Sequence, residues 1–153
     1  MNPPAPVPGT DRSAPDAALP GRAAVTAEAG LDVRVRIADL MEDDSEEEIE
    51  FVERIVVSFL KRAPAALDRL AGAIAAADAE EAARQAHALK GSAANLGVSA
   101  VAGLCAEAEH LAEAARLGEL GGHPARLEQA LAEAGAHLTG ALARLRAGRP
   151  LLP

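Results

Sequence analysis

From Asp78 to Leu145 the apolar residues of this chain recur at three- and four-residue intervals, segment after segment, a spacing that suits helices packed on one another. In the first segment Ala82, Ala86, Leu89, Ala93 and Leu96 form one stripe. Asp78 can cap it with Glu81 three residues on, and Gly97 can close it. In the second, Val101, Leu104, Ala108, Leu111 and Ala115 repeat the pattern, with Ser99 as the expected cap and Gly118 as the expected stop. Pro124 starts the third, since a missing N–H costs nothing in a first helical turn. That segment turns Leu127, Leu131, Ala134, Leu138, Ala141 and Leu145 to one side, and Gly135 and Gly140 should weaken it.

Composition agrees with this spacing. Half of the 153 residues are apolar, but Ala supplies much of that half, Trp and Tyr are absent, and Phe occurs only at Phe51 and Phe59. The core must be thin and aliphatic, and small side chains on good helix formers favour closely packed helices over a sheet.

Upstream, Ser45 and Glu48 stand in capping-box spacing, and Ile49, Val52, Val56, Phe59 and Leu60 share a stripe, which predicts a helix from about 46 to 62 ending in Lys61 and Arg62. Pro64 then opens a further helix with Leu67, Leu70, Ile74 and Ala77 buried, ended by Asp78. A short docking helix is expected near 32–41. Residues 1–30, rich in Pro and Ala and without period, read as a disordered tail. Helices of similar length joined by short loops lie antiparallel. The expected fold is therefore all-α: an up-and-down antiparallel four-helix bundle from 64 to 147, in a domain spanning 31–147 with one or two additional N-terminal helices, followed by a short C-terminal tail at 148–153.

A net charge of −8 opposes a nucleic-acid backbone, whose phosphates call for a basic face. The first residues lack a basic stretch followed by an apolar one, so no export signal is expected. The stretch Gly91 to Ala106 is too polar and short for a membrane span. A single cysteine, Cys105, fits a reducing compartment, with cytoplasm the default, and its place beside a buried stripe suits a core role. Solubility and a self-contained core suggest a monomer, and the Ala-rich seams leave open the pairing of two copies.

The chemistry is concentrated on the segment after Asp78. At about 100° per residue, its stripe centres between Ala86 and Leu89, which leaves His87 roughly 140° away and Gly91 opposite. An imidazole facing solvent is ordinarily just a surface residue. Here Gly91 sits one turn further on, where Gly costs about 1 kcal/mol against Ala, and Ala94 leaves the next turn bare, so something must approach closely. Lys90, three residues from His87, can put an ammonium beside an anion carried on the ring. A largely neutral imidazole is nucleophilic near pH 7, and the group reads as a seat for phosphate.

The stretch from Ala86 to Gly97, AHALKGSAANLG, resembles the signature of histidine phosphotransfer (HPt) domains of bacterial two-component phosphorelays. The broader pattern fits from about Leu31 to Leu145. The resemblance implies that His87 is the phosphoacceptor, that Lys90 interacts with the phosphoryl group, and that Gly91, with Ala94, gives clearance to a receiver domain. Some members orient the histidine with a Gln or Arg on the adjacent helix; here that helix offers Glu107, Glu109, His110 and Glu113.

No GxxxxGK[ST] or GxGxxG loop occurs, so neither ATP binding nor autokinase activity is expected. The phosphate must come from another protein. The implied partners are response-regulator receiver domains and a hybrid sensor histidine kinase. No cofactor is expected on this chain, Mg²⁺ belonging to the receiver. Two rival readings remain: an adaptor or inhibitor of the same fold that is not phosphorylated, and, more remotely, a metal-binding bundle suggested by the Glu-x-x-His spacing of Glu107 and His110.

Overall fold

The computed structural model describes residues 20–153, with side chains from residue 24 onward. Its elements are α1 (Pro20–Leu40), α2 (Glu46–Ala75), α3 (Ala79–Asn95), α4 (Ser99–Glu113), a short 3₁₀ turn (Leu117–Leu120) and α5 (His123–Arg146). Helices α2 to α5 form the four-helix bundle, each packed against the next and α5 against α2, while α1 lies along α5 and touches α4. The all-helical expectation holds.

Three boundaries differ from the sequence reading. The first helix begins at Pro20, so the segment 20–30 is helical where a tail is expected; residues 1–19 of that expected tail lie outside the described residues. Gly30, Val33 and Ile37 are the buried side of α1. Docking of this face on the bundle holds a helix whose own periodicity is weak, and local pattern alone could not extend it.

The second difference is that the segments before and after Pro64 are one helix of 30 residues. Pro64 cannot donate to the carbonyl one turn earlier. Even so, Ile49, Val52, Val56, Phe59, Ala63, Leu67, Leu70 and Ala73 make one unbroken buried stripe through it, and packing of that stripe on α3 and α5 outweighs the lost bond. The bundle therefore starts at Glu46 rather than at 64. Its N-cap is Ser45, whose hydroxyl accepts from Glu48 N at 3.4 Å, while the Glu48 carboxylate accepts from Glu42 N instead of closing the reciprocal box. Ala77, expected in the core, is exposed in a left-handed conformation (φ 54°). It reverses the chain there, with Asp78 N donating to Ala73 O.

The third lies around α4. Its N-cap is Val98, and the Ser99 hydroxyl donates to Asp32 of α1 and to Gly97 O. The helix ends at Glu113, with Ala115 at φ 55° and exposed, so Gly118 falls in the following turn and is not the stop. Cys105 and Ala112 take buried places while Leu104 is only partly covered, and in α5 Ala130 is buried while Leu131 is partly covered. The last residues fold back: Arg144 donates two hydrogen bonds to Pro150 O, and Leu151 is buried.

Helix α3 follows its sequence closely. Asp78 accepts from Glu81 N at 3.1 Å, all five stripe residues are buried, and Gly97 reverses the chain at φ 69° with Val98 N donating to Ala93 O. This regular frame fixes where His87 points.

Candidate functional site

His87 stands on the outer face of α3 with its side chain 71% exposed. Its Nδ1 lies 2.7 Å from Glu109 Oε1, on the neighbouring helix α4. The second carboxylate oxygen of Glu109 accepts from Lys90 Nζ. One carboxylate thus holds both groups that the sequence singles out, and Glu109 itself is only 14% exposed. The hydrogen bonds from Lys90 and from His87, in that order, keep its carboxyl below the usual carboxylate range.

This geometry assigns the ring nitrogens. An ionised carboxylate only accepts, so Nδ1 must carry the hydrogen. In the neutral ring Nε2 then keeps its lone pair, which is what a nucleophilic imidazole requires. Sequence reasoning offered four residues of α4 for the orienting role, and the helix pairing selects Glu109. Glu107 instead stands 3.2 Å from the Nε2 of buried His123, within ion-pair range but without hydrogen-bond alignment, and 4.0 Å from Arg126. His110 and Glu113 point to solvent.

The strip of α3 beyond His87 carries little side chain. A methyl group added at Gly91 would meet nothing within 4 Å, and Ala94 is exposed. Toward α2, a groove of about 490 Å³ runs beside this strip. Its α3 wall is Gln85, Ala88, Ser92 and Asn95, and its apolar lining includes Ile55, Phe59 and Leu89. Arg54, Arg62 and Arg69 rim it. Arg69 donates to Gln85 Oε1, and none of the three forms an ion pair with a carboxylate among the described residues. Sequence reading missed this groove, because its arginines share one face only when α2 runs unbroken through Pro64, and its other wall comes from α3.

Cys105 is buried beneath the site, and burial pushes its thiol up to about 12, so it stays a neutral core residue. The Glu107–His110 spacing does not gather a ligand set; among the described residues no three His, Cys, Asp or Glu side chains are placed to hold a metal ion. No described helix is long and apolar enough to cross a membrane.

A helical bundle that offers an imidazole to solvent, flanked by a lysine and steadied by a carboxylate, has the architecture of a phosphotransfer domain. The sequence matches the Hpt domain family over residues 54–148, a range that holds most of the bundle together with His87, Lys90, Gly91 and Glu109. The chain belongs to the Hpt domain family, whose members are phosphotransfer carriers in phosphorelays. Comparison with curated proteins and with solved structures returned no match.

Proposed function

We propose that this protein is a phosphorelay intermediate that takes a phosphoryl group onto His87 from the aspartate of a receiver domain and passes it to a response regulator. The observation that carries the reading is the His87–Glu109 hydrogen bond, which engages Nδ1 and leaves Nε2 of an exposed ring without that contact. In the transfer step the Nε2 lone pair attacks phosphorus. The bond from phosphorus to the aspartyl oxygen breaks in line, and the aspartate leaves with the electron pair. Lys90 offsets charge on the phosphoryl oxygens, exchanging its contact with Glu109 for one with the incoming group. The receiver supplies the aspartate and its Mg²⁺, and this chain supplies the nucleophile, a cation and clearance at Gly91 and Ala94.

The groove between α2 and α3 supports docking on that side of His87. An apolar floor favours burial of a partner's apolar side chains, and an arginine rim on a chain of net charge −8 favours acidic residues around them. A hybrid sensor kinase and a response regulator would use the same face in turn.

Incubation with a phosphorylated receiver domain, comparing wild type with His87→Gln, tests the reading. Label should appear on wild type and be absent from the variant. Equal labelling of both, or of neither, would favour an adaptor of the same fold that carries no phosphoryl group.

A further inference from the structure

Glu109 is a carboxylate where a neutral acceptor would suffice to orient the ring, and the charge has chemical consequences. When Nε2 bonds to phosphorus its lone pair is used, and the ring, still protonated at Nδ1, becomes cationic. Onward transfer breaks the P–Nε2 bond, and the electron pair returns to Nε2 to give a neutral imidazole. A ring that had lost its Nδ1 proton would have to leave as imidazolate, a much poorer leaving group. Retention of that proton therefore decides whether phosphoryl-His87 can give up its phosphoryl group.

We propose that the negative charge of Glu109 holds the Nδ1 proton on the phosphorylated ring, and so extends toward alkaline pH the range in which phosphoryl-His87 is competent for transfer. The inference rests on the reading of His87 as the phosphoacceptor. The contact is direct, 2.7 Å from Nδ1, and the carboxylate is mostly shielded from water while the ring is not. A nearby opposite charge favours the charged form of a titrating group, and shielding strengthens the effect. The other groups around the ring do not supply this charge. Lys90, on the same helix, is a cation and acts in the opposite sense. Arg84 is engaged with Glu81. From α2, Arg69 reaches α3 at Gln85. On α4, the Cys105 thiol is neutral. Glu109 is thus a positioning residue that acts through the imidazole.

Phosphoramidate, which loads histidine without a partner protein, provides the test. Loss of the phosphoryl group to water is followed by phosphorus NMR across pH, and its rate should fall where the ring proton is lost. E109Q keeps an oxygen for Nδ1–H but removes the charge, and its midpoint should move to lower pH by roughly one unit or more. E109D, with the charge at shorter reach, should fall between. K90Q removes the cation and should move the midpoint up. Coincident midpoints for wild type and E109Q overturn the proposal, and so does movement of E109Q and K90Q in the same direction, which marks a distorted site. If wild type takes up no phosphoryl group at His87, the failure is that of the phosphoacceptor reading itself.

Discussion

Gly97 and Asp32 approach so closely that a methyl group on Gly97 would stand 2.7 Å from the Asp32 backbone oxygen, and 2.8 Å from Cβ of Arg36. This contact seats α1 on the turn between α3 and α4, where Arg36 Nε donates to Asn95 O and Ser99 to Asp32. Gly97 is also left-handed, at φ 69°. Gly97→Ala should therefore destabilise the protein by at least about 1–2 kcal/mol from backbone conformation alone, with more from displacing α1, since a backbone oxygen cannot swing aside. Denaturant unfolding checks the loss, and amide exchange in α1 should rise first.

Gly91 presents the opposite case. Nothing lies within 4 Å of its would-be side chain, so Gly91→Ala should stabilise α3 by up to about 1 kcal/mol. Gly91→Gln should fold as well as wild type yet obstruct the approach to His87, and misplacing a reacting group by an ångström can cost about 100-fold in rate. Thermal melts and receiver transfer rates, measured on the same samples, separate the effects. A Gln variant with undiminished transfer would remove the clearance role.

Pro64 interrupts the hydrogen bonding of α2 without ending the helix. Restoring the missing donor with Pro64→Ala should stabilise the protein, by less than the roughly 3 kcal/mol that an interior proline costs, because proline also restricts the unfolded chain. A raised midpoint in denaturant is the expected result; a lowered one would mean that the ring's own packing matters more than the backbone bond.

The arginines of the α2–α3 groove should make partner docking sensitive to salt. Arg62→Glu should weaken binding of a receiver domain and flatten its dependence on ionic strength, while leaving phosphoramidate labelling of His87 unchanged. Titrations at two salt concentrations measure both quantities. Equal affinity of the variant and wild type would place the docking surface elsewhere.

Much of the site was legible because it lies on a single regular helix. Once Asp78, Gly97 and the stripe from Ala82 to Leu96 are read, the directions of His87, Lys90 and Gly91 follow from 100° per residue. Glu109 was legible only as one of four residues on α4. Which of them meets the ring depends on how far α4 slides and rotates against α3, and that is set by packing of Val101, Cys105, Ala108 and Leu111 in the core.

The chain's own pattern of small apolar residues, caps and turns determined that it folds into antiparallel helices and that His87 faces water, because both follow from local geometry along a helix. Only the tertiary structure decided that α2 runs unbroken through Pro64, that α1 extends back to Pro20, and that one carboxylate joins His87 to Lys90. Each of those depends on contacts between segments far apart in sequence, whose energies no local propensity contains.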